Sequence, residues 1–509
     1  MSESRAQAVA LAVPAPAVAA QEVVWPLLVA LATSAAIVPL WAGELLPYQD
    51  APQHLAAVRV LADYHTPGFA FDRWFEIDLG RLEYLGFYLP AAGLSKLVGP
   101  VAAVKLMLSL IAFATSGAFW IFLGAFGRDR RLAVLAPAVF HTTPLYLGFF
   151  NFVESIPVAL LVVALAEREL RNPGLRRAAV LTVAAAGLLW LHPSALAFAL
   201  ACAVVLALTS GLPRRAAVGG LAPILPAAIL FAAWAVRAVA VRDGPDAAGH
   251  SPPTWMGPRM QVLELLRFGN VLAGLVDEAF VLGLVGLFAA IVVIRPRPYI
   301  ERGWRLPLLA ALTLLAYMAA PFGMGYMGYI HTRALPFFAL LAIASAPIAA
   351  GRKTGILMSA AVALQIAYQA QLARVYRAFD QEAQVSELHQ VLAAAEPGKR
   401  LIAVLYDTES RLMQFKSYLH FAAYYEVQRG GRARYNFAET PWNPVRFHKE
   451  TEPVTLPRSW EVRPLELDLA RAVSDEDYVL TRQPAPDPPG FALVTRAGRW
   501  SLYAPAARR

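Results

Sequence analysis

The sequence is poor in cysteine and in charge. Its 509 residues include a single cysteine, Cys202, so no disulfide can form within the chain. Charged residues make up 16% of the chain, against about 25% in soluble globular domains, whereas hydrophobic residues make up 58%. The polar segment after residue 373 lacks a phosphate-binding loop, a zinc-ligand spacing and a glycine-rich dinucleotide turn. These absences argue against a soluble nucleotide or zinc enzyme, and the composition indicates an integral membrane protein.

The apolar runs predict membrane-spanning helices, each of which needs about 20 apolar residues to cross the bilayer. We predict eleven spans, and the pair on either side of His192-Pro193 leaves open one broken helix. The predicted spans are 23–41, 101–124, 132–148, 152–166, 178–191, 194–210, 216–240, 279–294, 306–321, 334–350 and 354–373.

Arginine and lysine divide the loops between these spans into two sets. Most of the excess positive charge lies in five short loops, at 128–131, 168–177, 214–215, 295–305 and 352–353. The loops at 42–100 and 241–278 are poor in cations for their length. By the positive-inside rule the five loops and the N-terminus are cytoplasmic, and the C-terminal segment is extracytoplasmic. The net charge of +9 is therefore assigned to orientation in a plasma membrane, and no nucleic-acid partner is expected.

Three regions follow from this organisation. Residues 1–22 are predicted to be a disordered cytoplasmic tail, because Pro14 and Pro16 interrupt the apolar core that a cleaved signal peptide needs. Residues 23–373 form the transmembrane domain, and its large first external loop, 42–100, ends in a helix at 84–98 that is expected to lie on the membrane.

Residues 374–509 are predicted to form a small extracytoplasmic α/β domain that contacts the acceptor or stabilises the protein. The fold class is thus mainly α: a polytopic membrane protein of about eleven helices with a small C-terminal α/β domain. Within that domain we expect helices at 374–395 and 411–427, and strands at 401–406, 478–480, 491–494 and 500–503.

Ionisable and polar side chains gather on the predicted external side. Asp50 and His54 follow the first span and would share one face of a helix, since they are four residues apart. Ionisable residues at membrane depth are costly and usually mark a function, so this one-sided gathering predicts a site. The other members are Tyr48, His141, Asn151, Glu154, His192, Asp277, Glu278, His331 and Arg333.

Each of these residues also has a structural interpretation that the sequence leaves open. Asp50 before Ala51-Pro52 is a good helix N-cap with proline in the first turn. Arg333, a lone cation on its side, is either an anchor to lipid headgroups or a clamp for a phosphate. As structural alternatives to a functional role, His54 would make an interfacial hydrogen bond, Glu154 would reach water, and His192 would stabilise a turn. Asp277 and Glu278 would cap the start of a helix.

The layout resembles the GT-C superfamily of membrane glycosyltransferases. Those enzymes begin with one span, continue with a large external loop that has an acidic residue near its start, and often end in a soluble external domain. Asp50 occupies the position of the loop acid, and Glu154 falls where a second acid often lies. The similar stretches are 89–99 with 104–106, the basic turn at 126–133, and 143–145. The chain departs from the pattern in having Ala51 after Asp50, where one branch has a second acid, and in lacking a Trp-Trp-Asp triplet.

The resemblance implies inverting transfer of a hexose or pentose from a polyprenyl-phosphate donor to a lipid, glycan or protein acceptor of a bacterial cell envelope. Asp50 would deprotonate or orient the acceptor hydroxyl, with His54 and Glu154 as further catalytic residues. Arg333 would hold the departing phosphate, and the other substrate-binding candidates are Tyr48, Asn151, His192 and His331. The sequence leaves open whether Asp50, His54 and Glu154 hold a divalent cation, Mg²⁺ or Mn²⁺.

Other functions remain as alternatives. A transporter or lipid flippase predicts polar residues in the middle of spans and internal repeats, whereas the span interiors here are almost entirely Ala, Leu and Val. A non-catalytic envelope-assembly protein with the same layout, and a lipid-substrate ligase or phosphotransferase, are not separated from a glycosyltransferase by the sequence.

Overall fold

The computed structural model describes residues 16–80, 83–242, 252–268, 271–294, 298–324, 327–440, 442–453, 456 and 460–506. The fold is mainly helical, with a small sheet region near the C-terminus. The helices are α1 (Pro16–Ala42), α2 (Ala51–Asp63), α3 (Phe71–Trp74), α4 (Leu85–Val98), α5 (Pro100–Ala125), α6 (Thr143–Leu147), α7 (Phe150–Arg171), α8 (Leu175–Leu191), α9 (Pro193–Leu208), α10 (Arg214–Leu221), α11 (Leu225–Arg242), α12 (Pro258–Arg267), α13 (Val276–Val293), α14 (Arg305–Ala319), α15 (Leu335–Ser345), α16 (Arg352–Ala383), α17 (Val385–Ala393), α18 (Ala423–Arg429) and α19 (Leu469–Val473).

Six helical stretches among the described residues are long and apolar enough to cross a membrane. They are Val23–Ala42, Pro100–Ala125, Phe150–Arg171, Arg214–Ala238, Val276–Val293 and Arg352–Ala383. Three shorter apolar helices, α4, α9 and α14, accompany them. The chain is therefore a multi-pass membrane protein, as the sequence predicts, whereas the predicted count of eleven spans is not confirmed. Residues 1–15 of the predicted tail lie outside the described residues, and 16–22 belong to α1.

The segment predicted as a span at 132–148 is not one α-helix. It forms a 3₁₀ helix over Arg130–Val139, then a bend, then the short α6. Pro137 and Pro144 each lack the N–H that a continuous helix would use. The surrounding α1, α5, α15 and α16 bury this backbone. Irregular backbone is tolerated at membrane depth only where protein encloses it, so the packing explains the departure.

The C-terminal domain contains most of the sheet. The strands are β1 (Phe75–Ile77), β2 (Arg400–Leu405), β3 (Arg432–Ala433), β4 (Val445–Phe447), β5 (Tyr478–Arg482), β6 (Phe491–Ala497) and β7 (Trp500–Pro505). A five-stranded sheet has the order β3-β2-β5-β7-β6, in which β2 runs parallel to β3 and β5, and β7 runs antiparallel to β5 and β6. The predicted strand at 401–406 and the three late strands are confirmed.

The helix predicted over 411–427 is wrong for most of its length. Only Ala423–Arg429 is helical, and the residues before it run as turns. Their backbone groups bond to the membrane domain instead: the N–H of Gln414 donates to the carbonyl of Val271, and that of Ala273 donates to the carbonyl of Leu412. These long-range bonds replace the local ones that a helix would need.

The segment 42–100 is attached to the C-terminal domain. Strands β1 and β4 form an antiparallel pair, with Phe75 opposite Phe447. Gln53 of α2 donates to the carbonyl of Tyr435 at 2.7 Å and accepts from the N–H of Phe437 at 3.1 Å. Helix α2 also packs against α18. The helix that follows Asp50 is therefore held between the membrane helices and the C-terminal domain.

The Arg-rich loops meet at the opposite end of the helical bundle, which we call the Arg-rich end. Arg128 donates to the carbonyl of Gly303, and Arg131 donates to that of Ala349. Arg305 and Glu167 form a buried ion pair at 2.7 Å, in which the side chains are 3% and 1% exposed. Arg305 also donates to the carbonyl of Leu206, so this pair joins α14 to α7 and α9.

We predict that Arg305→Met destabilises the protein by about 3 kcal/mol, the lower end for a broken buried pair, because the buried Glu167 carboxylate keeps only the half-exposed Arg171 as a charged partner. The measurement is the free energy of unfolding by sodium dodecyl sulfate in detergent micelles. Arg374→Met, at an exposed position of α16, is the control and should change that free energy little. Equal stability of the two variants would contradict the importance of the pair.

Candidate functional site

Asp50 stands at the start of α2, but its carboxylate does not cap the helix. Its backbone carbonyl accepts from the N–H groups of Gln53 and His54. The side chain makes no capping hydrogen bond to α2. The interpretation of this carboxylate as a helix cap is therefore wrong, and its oxygens can serve other groups.

Gly148 fixes the position of Asp50 from the other side. Its φ is +90°, a left-handed conformation, and a Cβ built on it would lie 2.6 Å from the Cβ of Asp50. Only glycine meets both conditions. Gln49, the residue before Asp50, donates its N–H to the carbonyl of Tyr146 at 2.9 Å. The end of the irregular segment 130–148 thus packs directly against the acid.

A histidine of the C-terminal domain meets Asp50, and sequence reasoning missed it. His420 Nε2 lies 3.0 Å from Asp50 Oδ1, and the two side chains are 2% and 15% exposed. The ring stacks on Tyr435 with centroids 4.9 Å apart and planes 5° apart. Its Nδ1 has no hydrogen-bond partner among the described residues. No local pattern around 420 announces this contact, since it arises from docking of a distant turn.

His54 supports the site through hydrogen bonds at both ring nitrogens. The hydroxyl of Tyr88 donates to its Nδ1 at 2.8 Å, and the carbonyl of Gly148 accepts from the other nitrogen. Asn151 in turn bonds to the Tyr88 hydroxyl. Burial lowers the pKa of His54 to about 4, although the nearby Asp50 opposes the shift. His54 is therefore neutral at neutral pH, and its nitrogens are already engaged.

Arg333 lies in the 3₁₀ turn His331–Ala334, before α15. Its guanidinium lies over the ring of Phe149, 4.4 Å from the centroid. Nη1 donates to the carbonyls of Gly328 and Tyr329, both at 3.3 Å, and Nε has no partner among the described residues. Burial lowers the pKa of Arg333 to about 10, so the side chain stays cationic at neutral pH.

Asp50 and Arg333 converge on the same short stretch of backbone. Gly148 packs on Asp50, and the next residue, Phe149, packs on Arg333. Tyr329, whose carbonyl accepts from Arg333, also feels Asp50: the pKa of its phenol is raised by burial first, then by Glu264 and by Asp50. We call this group the Asp50–Arg333 site: Asp50, Gly148, Phe149, Tyr329, Arg333 and His420.

Two further polar atoms beside this site lack partners. Asn151 Oδ1 and Glu154 Oε2, one turn apart on α7, have no hydrogen-bond partner among the described residues. Glu154 faces Gly86 of α4, where an added Cβ would lie 3.4 Å from Oε2. Buried polar atoms without partners are costly and rare. Together with Arg333 Nε, they indicate a place where polar groups of a ligand would be bound.

Three other candidates have structural partners instead. His331 is fully buried and bonds to Glu264 of α12 at 2.7 Å. The hydroxyl of Tyr48 accepts from Tyr376 at 3.2 Å within a buried tyrosine cluster. His192 caps α9, because its Nδ1 accepts from the N–H of Ser194 at 3.2 Å.

The remaining polar residues hold elements together. His141 donates to the carbonyl of Ala36 at 2.7 Å. Asp277 accepts from the Tyr368 hydroxyl at 2.7 Å and from the N–H of Leu272 at 2.8 Å. Glu278 pairs with Arg267 at 3.3 Å. These contacts tie the ends of helices to their neighbours and bring none of the three into the Asp50–Arg333 site.

The residues named for a divalent cation do not form a metal site in this arrangement. Both nitrogens of His54 are engaged, and Asp50 Oδ1 faces His420. Within the part of the chain that the structure describes, no group of three or more His, Cys, Asp or Glu side chains is placed to hold a metal ion.

The lowered pKa of His54 predicts a loss of stability in acid. Its usual pKa is about 6.5, so between about pH 6.5 and 4 the unfolded chain binds a proton that the native state excludes. Stability is full above that window and falls through it, by about 2 kcal/mol at pH 5 for this group. We expect His54→Gln to remove that part of the fall, measured as the difference in unfolding free energy between pH 7.5 and pH 5.

Other groups titrate in the same range, so the difference between the two proteins is what counts. Asp50, His420 and Tyr88 face His54, and the pKa of buried Glu426 is raised to about 8, which acts in the opposite direction. An equal acid-induced loss in wild type and variant would contradict the prediction.

Comparisons with known proteins give likenesses to solved structures alone. No family model matches the sequence, and no curated protein does. Among solved structures, the chain is similar to arabinofuranosyltransferase AftD from Mycobacteria, with a TM-score of 0.49 and 16% identity. The match covers 94% of this chain and 39% of that one, so this chain spans about two fifths of that protein's length. That protein is, by its name, an arabinofuranosyltransferase.

Proposed function

We propose that this chain is a membrane glycosyltransferase. It moves a sugar from a polyprenyl-phosphate donor to a lipid, glycan or protein acceptor of the cell envelope, at the outer face of the plasma membrane. The observation that carries the proposal is the convergence of Asp50 and Arg333 on Gly148 and Phe149. A carboxylate that can accept a proton and a cation that can hold a leaving phosphate are the two groups that such a transfer needs.

Arg333 suits the donor phosphate. Only Nη1 bonds to the described residues, so Nε and Nη2 are available to two oxygens of a phosphate. Paired N–H donors match a phosphate in a way that the ammonium of lysine does not. The guanidinium rests on an aromatic ring in half-buried surroundings, where its charge is screened less than in water. It would stabilise the negative charge that grows on the phosphate as the glycosidic bond breaks.

Asp50 suits the acceptor. Its carboxylate takes the proton of the acceptor hydroxyl as the hydroxyl oxygen bonds to the anomeric carbon. The bond between that carbon and the phosphate oxygen breaks, and the lipid phosphate leaves with the electron pair. Attack from the side opposite the phosphate in one step inverts the configuration at the anomeric carbon.

The position of the site suits a lipid-borne substrate. Arg333 precedes α15, and the neighbouring α14 exposes the large apolar side chains of Leu312 and Leu315. Apolar surfaces of this kind would face the hydrocarbon of the bilayer, and a polyprenyl chain would lie beside them there. The unpartnered oxygens of Asn151 and Glu154 are placed to accept from hydroxyl groups of the sugar.

We predict that Asp50→Asn lowers the rate of transfer about 10²–10⁴-fold, the usual contribution of a general base. The amide has the shape of the carboxylate and can still accept from His420, so the fold should persist. The measurement is transfer from a panel of polyprenyl-phosphate hexoses and pentoses to an envelope extract, with purified protein in nanodiscs. Asp63→Asn is the matched control, because Asp63 ends the same helix and pairs with Arg59. Full activity of the Asp50→Asn variant would contradict the assignment of Asp50 as the general base.

We predict that Arg333→Ala acts mainly on the donor. Removing the guanidinium should raise KM for the polyprenyl-phosphate sugar at least about tenfold and lower kcat, since a hydrogen bond to a charged group contributes about 1.5–3 kcal/mol. KM for the acceptor should change little. Arg374→Ala, an exposed position on α16, serves as the control. Equal losses for donor and acceptor would instead indicate a general role in folding.

A further inference from the structure

We infer that the C-terminal domain is part of the active site, where His420 acts as a positioning residue that holds Asp50. This inference rests on the proposed function, since it assigns a partner to the proposed base. It gives the domain a role in the chemical step, beyond the contact with acceptor or the stabilising role that its sequence suggests.

The contact itself defines the chemistry of the pair. A carboxylate can only accept, so at 3.0 Å from Asp50 Oδ1 the Nε2 of His420 carries the proton and donates it. Nδ1 has no partner among the described residues, which agrees with a neutral ring that is protonated on Nε2 alone. The bond has one charged member and little exposure to solvent, and such bonds are about twice as strong as neutral ones.

His420 is held in place by groups that are themselves tied to Asp50. Its ring stacks on Tyr435, and the edge of Phe437 meets it with centroids 6.0 Å apart. Gln53 bonds to the backbone of both of these residues. Gln53 lies on α2, the helix that Asp50 begins. The orientation of His420 relative to Asp50 is therefore set twice, once by its own hydrogen bond and once through α2.

The consequence for Asp50 is a choice between its two oxygens. His420 occupies Oδ1, and the side-chain amide of Gln49 approaches the same oxygen at 3.4 Å. Oδ2 is then the oxygen that faces the acceptor hydroxyl. Fixing the rotation of the carboxylate before the substrate binds lowers the entropy lost on reaching the transition state. His420 touches neither substrate, so its effect should fall on kcat.

Two substitutions separate the hydrogen bond from the ring. His420→Gln keeps an amide N–H that can reach Asp50 but loses the aromatic stack, whereas His420→Phe keeps the stack on Tyr435 but has no donor. We expect the Phe variant to lose kcat about ten- to a hundredfold with KM values nearly unchanged, and the Gln variant to stay within about fivefold of wild type. Adding His420→Phe to Asp50→Asn should cost little more than Asp50→Asn alone, because the two residues act as a unit.

The opposite order of activities would overturn the inference: an active Phe variant with an inactive Gln variant means that only the ring matters. Equal losses in both variants together with lower unfolding free energies would also overturn it, as they would show a structural role. If the wild type in nanodiscs transfers no sugar from any donor of the panel, the proposed function fails and this role fails with it. If the wild type is active and His420→Phe matches it, only the role of His420 fails.

Discussion

Every backbone N–H and C=O at membrane depth needs a partner inside the protein, and the segment 130–148 shows what this constraint produces. The segment is not one α-helix, so four helices enclose it and supply partners such as Gln365, which donates to the carbonyl of Val134 at 2.9 Å. The same packing fixes the position of the last residues of this segment. Gly148 and Phe149 then form the surface on which Asp50 and Arg333 meet, so the site depends on a crossing that a regular helix would not provide.

The site combines groups from three distant parts of the chain. The segment 42–100 supplies Asp50, the turn before α15 supplies Arg333, and the C-terminal domain supplies His420. An acid and a cation in one site would usually neutralise each other as an ion pair. Here each has other neighbours: Asp50 bonds to a neutral ring donor, and Arg333 bonds to carbonyls and an aromatic face. Both charges are thus kept available for a substrate, as separate roles in a transfer reaction require.

Much of the architecture could be predicted from the sequence, because hydropathy and periodicity are local. The membrane class and the late strands follow from such patterns. The predictions that were wrong or missing concern segments whose structure is set by contacts with residues distant in the sequence. The residues before α18 give their backbone bonds to the loop at 271–273, so the predicted helix does not form. His420 reaches Asp50 only through docking of a whole domain, and His331 turns to Glu264 on a neighbouring helix. The spacing of residues along the sequence does not predict these contacts.

The pairing of β1 with β4 has a consequence for how the protein is made. Phe75 is synthesised long before its partner Phe447, so this ribbon can close only after the chain up to Phe447 has left the ribosome. Until then α2 lacks the surface that buries it. A nascent or truncated chain would already carry its membrane helices while Asp50 had not yet met His420. A chain that stops before His420 would therefore occupy the membrane without the hydrogen bond between His420 and Asp50.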